Sequence, residues 1–241
     1  MKKVILAAAV LVASASVANA EGYNRVALSY DWQHYSMNKD YTGDDKEGRS
    51  LNGFGINYAH GFGVAENMFV EVGGNFNFGF GTEKGEKVEA AGEWFQAKQK
   101  MTNINLRVPV NFVYRFNVSE DFKIAPYAGI NFKLNLVTKY KDTFDSSLSK
   151  DVLKAAGIEE GDWVNVYSDS KENMGDKDAT WNRFQMGWQV GVGFEYQKYY
   201  LGVQYGTDFI PAYSHKFEWE GGSSKPKVNS QALKISLGYT F

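Results

Sequence analysis

The chain has 241 residues, with 26 Lys and Arg against 28 Asp and Glu, a formal net charge of −2, and no cysteine. That balance gives no case for a nucleic-acid partner, and without thiols there is neither a disulfide framework nor a cysteine-borne lipid anchor. Aromatic residues make up 16% of the chain and glycines number 25, a combination that favours tightly packed β structure over helices.

Residues 1–20 read as a removable signal peptide. Lys2 and Lys3 form a basic start, Val4 to Val12 is apolar, and Ala18-Asn19-Ala20 offers the small residues a signal peptidase needs. The apolar run is too short to cross a bilayer as a helix, so cleavage after Ala20 is expected, leaving one domain over 21–241. No later apolar run reaches helical span length, and any membrane crossing must be made of strands.

From Arg25 the chain alternates with period two: Val26, Leu28, Tyr30 and Trp32 share one face, and Arg25, Ala27, Ser29, Asp31 and Gln33 the other. Polar Ser36–Lys46 reads as a loop. A second strand, about Leu51 to Phe62, turns back at Gly63-Val-Ala-Glu-Asn67 into a third, about Met68 to Phe80. Charged Thr82–Gln99 reads as another loop. The fourth strand, about Asn103 to Phe116, sets Ile104, Leu106, Val108, Val110 and Phe112 against Asn103, Asn105, Arg107, Asn111 and Arg115. A short turn at Asn117–Asp121 leads to a fifth strand, about Phe122 to Tyr140.

Lys141–Thr180 is the longest irregular stretch. Ser146 or Ser147 is suited to cap a short helix there, with Leu148, Val152 and Leu153 on one face and Gly157 at its end. The acid-rich run Asp169 to Asp178 offers carboxylates to Ca²⁺, though without EF-hand spacing it reads as a solvated loop. A hairpin around Trp163 to Tyr167 would raise the strand count to ten. The sixth strand, about Trp181 to Gln197, and the seventh, about Tyr199 to Phe209, meet at a minimal turn. After a loop at Pro211–Asn229, the chain closes with Gln231 to Phe241, where Leu233, Ile235, Leu237, Tyr239 and Phe241 alternate with small or polar residues.

Connections therefore alternate short and long, and each strand is long enough to cross a hydrocarbon layer at a tilt. The polar face carries Arg25, Asp31, Glu71, Arg107, Arg115, Lys133, Arg183, Glu195, Asp208 and Lys234. In a secreted β-sandwich or a lipocalin-like cup that face would meet water; in a membrane barrel it lines a closed interior. The second reading is favoured: an all-β, eight-stranded antiparallel up-and-down transmembrane β-barrel. Eight strands leave an interior that side chains fill. Arg25, Asp31, Glu71, Arg107, Arg115, Arg183, Glu195 and Asp208 are expected to form a salt-bridged plug, with no diffusion pore. Pro109 and Pro126, both inside strands, predict one shared local break such as a bulge.

Arg107-Val-Pro-Val-Asn111, Ile124-Ala-Pro-Tyr-Ala-Gly129, Met186-Gly-Trp-Gln-Val-Gly-Val-Gly-Phe194, Tyr200-Leu-Gly-Val-Gln-Tyr-Gly206 and Leu237-Gly-Tyr-Thr-Phe241 carry a resemblance. With these motifs the chain resembles the outer-membrane β-barrel domain family that includes PorT-like proteins, small barrels of the OmpA- and OmpX-like kind. The resemblance implies location in the outer membrane, outer-membrane lipid as a partner, and contact with the barrel-assembly machinery through the strand ending at Phe241. It supplies no catalytic residue. An extracellular ligand or protein at the long loops would fit a structural or surface-interaction role; a small pore or substrate-specific transporter is the alternative. A rim-located lipid-modifying enzyme would need a histidine, a hydroxyl and an acid together. The histidines are His34, His60 and His215, with Asp31 and Asp208 on nearby strands, and no G-x-S-x-G motif is present. Neither catalysis nor a cofactor is expected.

Overall fold

The computed structural model describes residues 20–37, 48–167, 181–214, 217–219 and 222–241. Most of the expected signal peptide, the Asp169–Asp178 run and His215 lie outside these. Eight long strands form one antiparallel ring: β1 Ala20–Met37, β2 Gly48–Ala65, β3 Met68–Ala90, β4 Glu93–Tyr114, β5 Phe122–Ser146, β6 Phe184–Tyr196, β7 Tyr199–Asp208 and β8 Lys227–Thr240. Each pairs with its neighbours in sequence, and β1 pairs with β8 from Arg25 opposite Thr240 to Met37 opposite Val228. Closure leaves no sheet edge, which is the condition for β structure in hydrocarbon.

The period-two alternation decides which face goes where. Leu237 is 66% exposed, Phe112 51% and Trp188 43%, all pointing outward, whereas Arg107 is 4% and Glu195 3% exposed, pointing in. A dry core made of the greasy face is therefore ruled out. Tyr114 and Phe116, with ring centroids 4.6 Å apart, and Tyr199 and Tyr239, 6.2 Å apart, ring the short-turn end. Trp32, Phe80 and Trp188 lie outward near the other end. Such paired girdles mark the two bilayer interfaces.

Three tight turns join strands at one end: Glu66-Asn67, the turn before Phe122, and Gln197-Lys198. Asn67 and Gln197 take positive φ (59° and 53°). By the usual asymmetry of such barrels this is the periplasmic end.

At the outer end the structure departs from the sequence expectation. Thr82–Gln99 is not a loop. β3 and β4 continue as a paired ladder, with one irregularity between Lys84 and Lys87, to a two-residue turn at Ala91-Gly92. β5 runs beside them to Ser146, six residues beyond the expected end, with Leu136 bulged at its register shift against β4. Charge misled the reading: a ribbon with both faces in water accepts charged residues on either side. Ala91 has φ 52° and Gly92 82°, both left-handed, the geometry that favours Asn-Gly. Replacing Ala91 with Asn is expected to stabilise the tip by about 1 kcal/mol, read as roughly fivefold slower hydrogen exchange of the hairpin amides.

A short helix, α1, spans Lys150–Ala155. Its cap is Ser149, whose hydroxyl accepts from Val152 N at 3.4 Å, rather than Ser146 or Ser147. Of its apolar face only Leu153 is buried; Gly157, at φ 74°, follows its end. Around Trp163 to Tyr167 the described chain contributes Val164–Asn165, paired with Lys139 and Tyr140 along β5; the residues that would form the second arm of a hairpin there lie outside the described residues.

The prolines interrupt two ladders separately. Pro109 keeps its partner Asn131 on β5 but has none on β3, where its ring closes over Gly73. Pro126 keeps Val192 on β6 and lacks a partner on β4. Neither gap carries a register shift, so the expected shared bulge is replaced by two missing donors, each facing a different neighbour.

Candidate functional site

The interior is built from the odd-numbered positions of β1 to β4 and their counterparts around the ring. At its periplasmic end Tyr23, Phe69, Val113 and Ala125 form an apolar cluster with Tyr127 packed on it. Above this lies the first charge group. Arg25 binds Glu71, which also accepts from Tyr23 OH at 2.7 Å and Asn111 Nδ2 at 3.1 Å. Arg115 donates to Glu195 at 2.9 Å, and Arg25 approaches the same carboxylate at 3.7 Å. Both guanidiniums also stack on rings: Arg25 Cζ is 3.9 Å from the Tyr200 centroid and Arg115 Cζ 3.7 Å from that of Tyr23. Glycines make room for these rings. A Cβ on Gly61 would strike Tyr23, and one on Gly202 would strike Tyr200.

The second group sits nearer the outer end. Asp31 faces Arg107 at 3.7 Å and accepts from Ser29 Oγ at 2.9 Å. Lys133 binds Asp208 and donates to Ser230 Oγ at 2.9 Å. Lys234 has no ion pair among the described residues; with the Asn75 amide in the orientation that satisfies its neighbours, its oxygen accepts from Lys234 at 3.1 Å and its nitrogen donates to Asn57 at 3.0 Å. Amide ladders link the groups: Gln204 to Gln189 to Asn111 in one, Asn105 to Asn103 to Asn135 to Gln185 in the other. Over the top, Ala212, Tyr213 and Val228 pack with Tyr35, Met37 and Trp181. A cavity of about 40 Å³ remains beside Arg25, Glu71 and Lys234, with space for about three waters. Another of about 10 Å³ lies between Arg107 and Lys133.

Of the eight residues assigned to this network, Arg25, Asp31, Glu71, Arg107, Arg115, Glu195 and Asp208 are brought together inside. Arg183 is not. It precedes β6 at the outer rim, is exposed, and donates to Leu136 O at 3.2 Å with its guanidinium 4.5 Å from the Tyr167 ring. Parity failed there because the strand begins only at Phe184. Lys133 and Lys234 belong to the network instead, as their position on the polar face already indicated. Tyr23 and Tyr200 were missed, although each lies two residues from an inward position, Arg25 and Gly202, on the same face.

Outside the ring, α1 and the outer ends of β4 and β5 enclose a groove of about 490 Å³. Trp94, Phe144, Leu153 and Ile158 line it, with Lys150 and Lys154 at its margin. Nearby, Lys141 donates to Glu160 at 2.9 Å; that hydrogen bond and the ammonium charge hold the Glu160 carboxyl below the usual carboxylate range.

His34 Nδ1 lies 3.0 Å from Ser50 Oγ on the outward rim. Asp31 and Asp208 both point into the lumen, so neither stands behind this imidazole. His60 Nδ1 meets Asn24 Oδ1 at 2.9 Å. Among the described residues no group of three His, Asp or Glu is arranged to hold a metal ion.

An apolar outer face, a charged and filled centre, and a closed ring of eight antiparallel strands define a small transmembrane β-barrel of the outer-membrane type. The chain belongs to the outer membrane protein beta-barrel domain family, which it matches over residues 4–241, and its place is the outer membrane. No curated protein matches it in sequence. Among solved structures it is similar to Ail, the attachment invasion locus protein of Yersinia pestis, crystallised with the heparin analogue sucrose octasulfate. The two are 11% identical, over 90% of this chain and 99% of that one, with a TM-score of 0.39. OprG from Pseudomonas aeruginosa is 10% identical over 91% and 96%, with a TM-score of 0.40. The outer membrane enzyme PagL is 12% identical over 86% and 97%, with a TM-score of 0.33.

Proposed function

We propose that this protein is a sealed barrel with a structural or surface-interaction role, an anchor that carries a tall outer sheet for contacts outside the cell. The observation that carries this reading is the filled centre. Apolar clusters lie toward both ends, and between them paired charges and amide ladders fill the interior, with cavities of about 40 and 10 Å³ among the described residues. A hydrated ion needs a continuous path, and a plug of this kind opposes one. The groove of about 490 Å³ beside α1 is of a size that takes small ligands and lies where an extracellular partner has access.

Planar-bilayer recording with the purified full chain tests the proposal. No stable conductance steps are expected; reproducible single-channel openings at moderate voltage would favour the pore or transporter reading instead. The rim-enzyme reading has one observation in its favour, the His34–Ser50 contact, and among the described residues no acid is hydrogen-bonded to the histidine. Ser50→Ala is expected to leave hydrolysis of acylated glycolipids at the background set by protein-free vesicles, the same as wild type.

A further inference from the structure

The outward face of β3, β4 and β5 changes character abruptly as it leaves the bilayer. The paired row Phe78, Ile104, Val137 is apolar. The next rows outward are Phe80–Thr102–Lys139, then Thr82–Lys100–Lys141, then Lys84–Lys98–Thr143. This block contains lysine, threonine and one phenylalanine, and no acid. With strands about 4.8 Å apart and same-face residues about 6.6 Å apart along each, it measures roughly 10 by 13 Å.

Two register pairs set like charges directly opposite each other: Lys84 faces Lys98, and Lys100 faces Lys141. Such pairs destabilise a sheet when left to themselves. Asp145 engages Lys98 and Glu160 engages Lys141 from the margins. Lys84, Lys100 and Lys139 have no ion pair among the described residues. The position matters as much as the charge. The patch begins at the row of Phe80, in the outer aromatic girdle, on the side that faces lipid, at the depth of the outer-leaflet headgroups.

We propose that this patch binds the phosphate groups of an anionic lipid of the outer leaflet. Lysine ammoniums serve as mobile point charges and the hydroxyls of Thr82 and Thr102 as neutral donors, Thr143 being buried, while the acyl chains lie against the apolar rows below. The patch is wide enough for two phosphates side by side. A bound phosphate also removes the repulsion across both lysine pairs, so the lipid stabilises the sheet that holds it.

The test compares wild type with Lys84→Gln/Lys100→Gln/Lys139→Gln, changes at two exposed lysines and one half-buried one that relieve repulsion and leave the barrel folded. Each is purified in a non-ionic detergent and titrated with diphosphoryl lipid A, with the same lipid enzymatically dephosphorylated, or with inorganic phosphate. Native mass spectrometry reads lipid retention, and thermal unfolding reads stabilisation. Wild type is expected to retain the diphosphoryl lipid at least tenfold better than the triple variant and to gain stability only with that lipid. Without added anion the triple variant unfolds at a temperature equal to or above that of wild type. Equal retention of the dephosphorylated lipid, unchanged retention by the variant, or an equal shift from inorganic phosphate at the same concentration would overturn the proposal.

Discussion

Glu71→Ala lowers the unfolding free energy of the barrel by about 3–5 kcal/mol, because it leaves a buried guanidinium without its main counter-charge. Glu71 accepts from Arg25, Tyr23 and Asn111 in the lower half of the lumen. Without it, the one carboxylate left to Arg25 is Glu195 at 3.7 Å, already engaged by Arg115. The buried charges of the described residues are Arg25, Arg107, Arg115, Lys133 and Lys234 against Asp31, Glu71, Glu195 and Asp208. The interior therefore already carries one cation in excess, and removing an acid compounds it. The measurement is urea unfolding in lipid vesicles followed by tryptophan fluorescence. Arg25→Met combined with Glu71→Leu should recover more than half of the loss, since apolar replacements remove both desolvated charges together. A single variant as stable as wild type would mean that the network holds nothing together.

Ile235→Arg is expected to cost about 2–4 kcal/mol in the same assay, while Tyr239→Arg costs about 0–1 kcal/mol. Both residues lie on the outward face of β8, and both are more than a third exposed. Ile235 sits opposite Tyr30 and Val203, within the apolar band; Tyr239 contacts Tyr199 in the periplasmic girdle. Depth in the bilayer is what separates them. If that face met water, arginine would be accepted equally at both positions, so equal and small effects would remove the basis for reading it as lipid-facing.

The ring itself was legible in the chain because alternation over ten or so residues admits few interpretations, and the parity of Arg107 or Phe112 states which way each points. Parity carried less where strands begin or bend. Arg183 shares the parity of Gln185 yet precedes the paired segment, and Leu136 bulges, which transfers the inward side from odd to even positions at Thr138. The outer hairpin was illegible for a different reason. Lys84 to Lys100 shows no apolar face, since no face there is buried in lipid or core, and the turn at Ala91-Gly92 lacks the Asn-Gly signature. The lysine block depends on register between three strands, which no single stretch of sequence displays.

A plain cylinder turning in a membrane has no front. Here β3 and β4 rise about 30 Å and β5 about 20 Å along the strand past the row of Phe80, while β6 and β7 stop at Phe184 and Asp208. The molecule thus has a heading within the plane of the bilayer: among the described residues, the barrel strands on one side stand well above those on the other. Lateral encounters are sorted by azimuth before any specific contact forms.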